Sequence, residues 1–408
     1  MVEAAVEVAG LKELPDGLTH GPSRELLAAG ELCWSYAHLD LLNSGADPLE
    51  PASTWWEGCA VQEAEGLYVL GEARYETWSV HGPVAVLLDG AGGEVYLARP
   101  DDDGVLQRDL LASGPDTLIA LVTAIEAVTS AAAGEYDLDE GDTEPPRRPA
   151  TVTEVVRVVR EELREADPEL FRRTDGQPAH WETALRIRAL GWGAKTGEDG
   201  ALAYELDPSL VEDLATIEGE GTVRRFAEDE LPEQLTHGPT RRLLTEVGLP
   251  VSGRCLLDVD AEGPLGTLAE DYPENYEPDE DGDMSTRPHQ GEFLVVGGWM
   301  YDFVIALDGA TGQVELPDWW DDGDPAAYLH RDLSALLYVL WTFEHLRAQR
   351  REAERPQTAG SWSVFDPCEL LDGAAEEALR ALDTEAFASD RHFWPIRVDD
   401  GHMGGLLE

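Results

Sequence analysis

The chain has 408 residues, enough for two domains, and 43% of them are apolar, enough to build cores rather than a disordered acidic tail. Its 83 acidic residues against 29 basic ones set a formal net charge of −54. A surface of that sign repels nucleic acid and anionic membrane and draws basic partners inward, so the first two are excluded as expected partners.

Only Lys12 and Lys195 are lysines; an Arg-over-Lys bias is what a GC-rich genome writes, and it leaves the excess of acids unexplained. Cys33, Cys59, Cys255 and Cys368 show no CxxC spacing and no neighbouring His cluster, so neither a zinc site nor a disulfide framework is expected. The first residues lack the basic and apolar regions of a signal peptide, and no apolar run approaches the roughly 18 residues of a membrane span. A cytoplasmic location is the expectation.

Taken in order, the chain repeats itself. Leu18-Thr19-His20-Gly21-Pro22 with Arg24 recurs as Leu235-Thr236-His237-Gly238-Pro239 with Arg241, an offset of 217. Each block enters a short amphipathic helix through a proline, whose missing N–H costs nothing in the first turn. A variable acidic stretch follows, holding Trp55-Trp56 in the first half. Strands are expected at Leu67–Leu70, Val84–Leu88 and Glu94–Leu97, and again at Phe293–Val296, Tyr301–Leu307 and Gln313–Leu316. Between the last two of each set lie Asp89-Gly90-Ala91-Gly92-Gly93 and Asp308-Gly309-Ala310-Thr311-Gly312, turns of a hairpin at offset 219. Arg108-Asp109-Leu110 recurs as Arg331-Asp332-Leu333 at offset 223, each expected to open a helix of about four turns with an apolar stripe. Asp167, Glu169 and Phe171 recur as Asp383, Glu385 and Phe387 at offset 216, and a last helix is expected before Trp181 and before Trp394. Four blocks in one order imply a tandem duplication: residues 1–222 as a diverged copy and 223–408 as a second, each an α+β module of antiparallel meander with helices packed on it. The proline-bearing stretch 135–149 is then a loop inside the first copy.

Chemistry is harder to place. His20 and His237 recur, each before Gly-Pro, where a histidine at a helix entry bonds backbone more often than it catalyses. No HExxH, P-loop, GxSxG or dinucleotide turn is present. Asp279-Glu280-Asp281-Gly282-Asp283, Asp101-Asp102-Asp103-Gly104 and Asp321-Asp322-Gly323-Asp324 lack EF-hand spacing and read as solvated loops, so no metal and no cofactor is expected. Trp319-Trp320-Asp321-Asp322 and Trp55-Trp56-Glu57 place aromatic anchors beside acids, as an interface for a basic protein would, unless the rings cap the core. The candidate partner-binding residues are therefore Trp55, Trp56, Asp101, Asp102, Asp103, Glu277, Asp279, Glu280, Asp281, Trp319, Trp320, Asp321 and Asp322.

Phe293-Leu294-Val295-Val296-Gly297, Tyr301-Asp302-Phe303, Leu307-Asp308 with Thr311-Gly312, and Tyr328-Leu329-His330-Arg331-Asp332-Leu333 resemble the type 4 immunity branch of the SUKH superfamily, as do Leu235-Thr236 and Gly248-Leu249-Pro250. The first copy keeps less of this pattern, with Glu76-Thr77-Trp78 where the second reads Tyr-Asp-Phe. The resemblance implies an α+β fold and a non-enzymatic immunity protein that blocks a toxin, often a nuclease or nucleic-acid deaminase. Basic grooves of such toxins fit an acidic inhibitor. A regulatory or scaffold module and a small-molecule enzyme are the alternatives. A monomer of two modules, bound by a cognate basic toxin domain, is the expected assembly.

Overall fold

The computed structural model describes residues 14–30, 34–41, 49–56, 63–74, 83–131, 149–191, 196–198, 200–218, 221–251, 257–259, 263–276, 288–299, 303–317, 327–354, 364–399 and 406–407. It is α+β with antiparallel sheets, as the hydrophobic pattern implies, and it divides into two compact units. Unit 1 comprises residues 1–136, 154–189 and 352–374; unit 2 comprises 137–153, 190–351 and 375–408.

In unit 1, α1 (Gly21–Ala29) precedes a meander of strands in the order β1–β2–β3–β4–β5–β6: Trp34–Tyr36, Leu39–Leu41, Leu67–Ala73, Ala85–Asp89, Val95–Pro100 and Leu106–Ala112. Ala85 and Leu87 point into a cluster with Leu67, Val69, Ala98 and Trp56. Their neighbours Val86 and Leu88 pair with Leu97 and Val95 and are equally buried on the opposite face, so both sides of the sheet are covered. The helices are α2 (Pro115–Ala131), α3 (Pro149–Ala166), α4 (Pro168–Arg173) and α5 (Ala179–Gly191). Residues 352–374 also belong here: the Phe365 N–H donates to Asp109 Oδ2 at 2.8 Å, and Arg99 pairs with Glu369 at 3.3 Å.

In unit 2, α6 (Pro208–Glu218) leads to the two-stranded ladder β7 (Thr222–Arg224) and β8 (Leu249–Val251), with α7 (Gly238–Arg242) between them. After α8 (Leu268–Asp271) come β9 (Leu294–Trp299), β10 (Phe303–Leu307), β11 (Val314–Glu315) and β12 (Tyr328–His330), ordered β12–β11–β10–β9. Then follow α9 (Leu333–Ala353), the part of α10 (Pro367–Arg380) from Ala375 onward, and α11 (Phe393–Asp399). Every residue of α9 from Leu333 to Phe343 is buried, which requires neighbours all round the helix. Part of that cover is α6: Asp213 accepts from Trp341 Nε1 and faces His345 Nε2, both at 2.8 Å. A junction at residue 222 assigns α6 to the first half; its contacts place it in unit 2. No helix among the described residues is long and apolar enough to cross a membrane.

The first and second halves differ by one residue at the helix after Gly-Pro, and the fold shows where it goes. Gly21 to Gly30 is an α-helix and its cap; Gly238 to Gly248 has one residue more and closes as a π turn over Leu243–Val247. A single insertion absorbed inside a helix is what such a turn is.

Two expectations are corrected. Trp181 and Trp394 lie within α5 and α11 rather than after a last helix. The Arg-Asp-Leu match at offset 223 is a false register: Arg108-Asp109-Leu110 lies inside β6, while Asp332 sits at the start of α9, its Oδ1 taking the N–H groups of Ser334 and Ala335. Bonding pairs other residues. The Ser113 N–H donates to Asp167 Oδ2 (2.7 Å) as the Arg331 N–H does to Asp383 Oδ2 (3.3 Å). Gly114 O accepts the Leu118 N–H as Asp332 O accepts that of Leu336. These correspond at offset 218, in line with 217, 219 and 216. In both halves an aspartate some fifty residues further along the chain binds the turn before the long helix.

Candidate protein-interaction surface

The repeated residues build clamps. Thr19 and His20 donate backbone N–H groups to Gly90 O (2.7 and 2.9 Å), and Thr236 and His237 do the same to Gly309 O (2.8 and 2.9 Å). Each imidazole Nδ1 lies against a hydroxyl, Ser23 Oγ at 2.7 Å and Thr240 Oγ1 at 2.8 Å, and each ring fills the space beside Gly93 or Gly312. Arg24 and Arg241 give NH1 to the carbonyls of Leu18 and Leu235. The histidines thus bond their own helix and hold the hairpin turn. Burial lowers the His237 pKa, so the neutral ring is favoured there.

A second buried polar group lies in unit 2. Asp383 faces His330 Nδ1 at 2.9 Å, Tyr328 OH at 3.2 Å, and the N–H groups of Arg331 and Ala386. Those bonds hold its carboxyl below the usual range against the opposing effect of burial, and the same burial and charge push the Tyr328 hydroxyl up. Trp394 Nε1 donates to His330 Nε2 at 3.1 Å, and an indole can only donate. His330 is therefore the neutral Nδ1–H tautomer, with both nitrogens occupied inside the core. Its geometry resembles a catalytic dyad, but its bonding is that of a core strut.

Of the residues singled out from the sequence, Trp56 is 7% exposed, packs in the unit 1 cluster and gives Nε1 to Pro83 O at 3.3 Å. It fills a core and offers no face to a partner; Trp55 is half-buried against the same cluster. Asp101 organises its own turn, accepting from the N–H groups of Asp103 and Val105 and from Gln107 Nε2, with Asp102 and Asp103 exposed beside it. Glu277, Asp279, Glu280, Asp281, Trp319, Trp320, Asp321 and Asp322 lie outside the described residues.

Residues not singled out from the sequence form a further cluster in unit 2. Val304 and Ala306 on β10 point to one face of the unit 2 sheet and pack with Leu268; Tyr272, Tyr276, Phe293 and Val295 lie half-buried on this cluster. The covering turns are fixed by a capping box between Thr267 and Glu270 and by Gly291, against which the Tyr276 ring rests. Asp271, Glu274 and Glu292 stand exposed around the rings. A signal existed: between Cys255 and His330 nineteen residues are acidic and one, Arg287, is basic.

A groove of about 340 Å³ also opens in unit 2, between residues 197–206 and the Pro239–Val247 segment. Its walls mix Arg242 with Glu205 and Glu246, so its charge selects no ligand class.

The repeated residues are thus taken up in turns and cores of an α+β scaffold whose chain has a formal net charge of −54. Residues 210–400, from inside α6 to the end of α11, match the family model of the SUKH-4 immunity protein. The match supports the SUKH resemblance for that part of the chain. No curated protein and no solved structure matches the chain.

Proposed function

We propose that this protein is a non-enzymatic immunity protein that binds and neutralises a basic toxin domain, of the nuclease or nucleic-acid deaminase class, in the cytoplasm. The match of residues 210–400 to the SUKH-4 immunity family carries this reading. The charge of −54 supports it, since a toxin groove built to hold nucleic acid is basic and an acidic inhibitor is steered onto it. The halves descend from one duplicated module: the clamps at His20 and His237 recur with the same bonds, and Asp167 and Asp383 each take the backbone N–H before the long helix and the N–H three residues on, which supports a shared origin. A monomer carrying both halves is the proposed working form.

Co-expression with the toxin encoded beside the gene tests the reading. Protection is expected, with a complex whose association slows by about tenfold or more between 50 and 500 mM salt. Failure to protect, with no complex formed, would pass the chain to the regulatory or scaffold alternative. Protection with a salt-independent rate would remove the electrostatic part.

A further inference from the structure

Given the duplication proposed above, we infer that the two halves of the chain have exchanged one equivalent segment, so that each compact unit is completed by residues of the other half. No binding partner is needed for this exchange.

The composition of the units points to it. Unit 1 takes residues 352–374 from the second half, and unit 2 takes residues 137–153 from the first. Moved along the chain by the repeat offset of 217, residues 137–153 fall at 354–370, inside 352–374. Two unrelated excursions of the chain have no reason to coincide within the repeat. The helices agree with this. Both α3 and α10 open on a proline, Pro149 and Pro367, and each ends a few residues before the aspartate that binds the turn of its own half, Asp167 or Asp383. Residues 149–153 of α3 belong to unit 2 and the rest to unit 1; residues 367–374 of α10 belong to unit 1 and the rest to unit 2.

The segment that unit 1 receives is built into its core. Val364 and Phe365 are 1% and 4% exposed. The Phe365 N–H donates to Asp109 Oδ2 on β6 at 2.8 Å, and its ring meets the buried His180 ring of α5 edge-on, with centroids 5.8 Å apart. The half-buried Glu369 pairs with Arg99 on β5 at 3.3 Å, although burial pushes its carboxyl up. Three elements of unit 1 therefore hold this segment, by a buried ring, a backbone bond and an ion pair. On the other side of the exchange, Val152 in the first turn of α3 is also buried.

Trading an equivalent segment between two copies of a module is what a segment-swapped dimer does. Joining the copies in one chain sets a high effective concentration, which keeps the exchange within that chain. The stretch 210–400 that matches the SUKH-4 family then includes residues that build unit 1, and it is not self-contained.

Hydrogen exchange of the full chain tests this, because two substitutions in the same helical region of the second half should loosen different units. Phe365→Ala is expected to speed exchange in β5, β6 and α5 by about tenfold or more while α9 and β9–β11 hold. Leu379→Ala, at a buried position in the part of α10 that stays in unit 2, should do the reverse. Val152→Ala is expected to speed exchange in unit 2 by about threefold or more while β3–β6 hold. Should Phe365→Ala fail to fold, Glu369→Gln removes only the ion pair and is expected to speed β5 and β6 by about twofold. Phe365→Ala, or Glu369→Gln in its place, loosening unit 2 as much as unit 1 would mean that the segment serves its own half. Val152→Ala leaving unit 2 unchanged would mean that nothing is given in return. Either result overturns the exchange and leaves the immunity reading untouched.

Discussion

The His20 and His237 clamps make the same bonds at distances within 0.1 Å of each other, yet the stretches between clamp and hairpin have nothing comparable in common. In unit 1 that stretch contributes β1 and β2 to a six-stranded sheet and sends Trp56 into the core. In unit 2 the sheet has four strands, and the stretch lays α8 and its aromatic residues over one face. Repetition therefore marks what holds the hairpin and helices together. Divergence marks where the two units are built differently around that frame. Residues that recur are poor candidates for partner recognition here, however suggestive a histidine looks.

The comparison is sharpest at the two aspartates that bind the turn or strand before the long helix. Asp167 accepts from Ser113 N–H, Ser113 Oγ and the Leu170 N–H; Asp383 accepts from two N–H groups, a tyrosine hydroxyl and the neutral His330. Truncation strands these donors in the interior. Asp383→Ala is expected to cost about 3–5 kcal/mol and Asp167→Ala about 2–3 kcal/mol, read from urea midpoints at pH 7. The sign with pH follows from bonds that lower the Asp383 pKa: its contribution is present above the ordinary carboxylate range and is lost as pH falls through it. Equal costs at the two positions would mean that the tyrosine and histidine add nothing, and the two struts would be alike after all.

A smaller effect should be shared evenly. Gly93 and Gly312 have φ of +85° and +83°, and a Cβ on either would lie 2.3 Å from the clamp imidazole. Gly93→Ala and Gly312→Ala are each expected to destabilise by about 2 kcal/mol, combining backbone strain with the clash. Adding His20→Ala or His237→Ala should recover the clash but not the strain, so each double variant regains part of the loss. Recovery at one clamp only would show that the equal distances conceal unequal packing.

Much of this frame was legible in the residues. Recurring Asp-Gly-Ala turns predicted both hairpins because glycine alone accepts their positive φ cheaply, and apolar periodicity located α2 and α9. The Arg-Asp-Leu match failed because identity of three letters says nothing of bonding: Asp109 lies in β6 and accepts from the Phe365 N–H, whereas Asp332 accepts the first N–H groups of α9. Assignment of α6 and residues 352–374 to their units was equally out of reach, since it depends on contacts such as Trp341 to Asp213 and Phe365 to Asp109 across more than a hundred residues. At the candidate site the acid excess was visible while the rings were not. Tyr272, Tyr276 and Phe293 are spaced irregularly, and only short helical turns bring them onto one cluster.

The last contrast concerns acid. Unit 1 holds a half-buried His38 and a buried His180, His38 in the β1–β2 turn at φ +63° and close to Arg74 and Arg188. Burial first, then the arginine charges, lowers His38 to about 4; burial first, then His38, lowers His180 to about 3, against a weaker opposing hydrogen bond with the Ala37 backbone. Both folded values lie below the ordinary value near 6.5, so the unfolded chain binds more protons as pH falls. The stability these rings support is complete above about 6.5 and is lost progressively down to 3–4. Between pH 7 and pH 5 the loss is roughly 1–2 kcal/mol per histidine, before carboxylates begin to protonate. Among the described residues of unit 2, the histidine with a lowered pKa is His237, where burial is the main cause and Asp332 and Asp308 partly favour the charged ring. Hydrogen exchange should therefore show β1–β3 amides losing protection at pH 5 while β9–β11 amides hold theirs. In His38→Asn/His180→Gln, where asparagine tolerates the positive φ, absolute stability falls but its slope between pH 7 and 5 should flatten. A slope that survives the double change would assign the acid sensitivity to carboxylates, and the two units would then respond to pH alike.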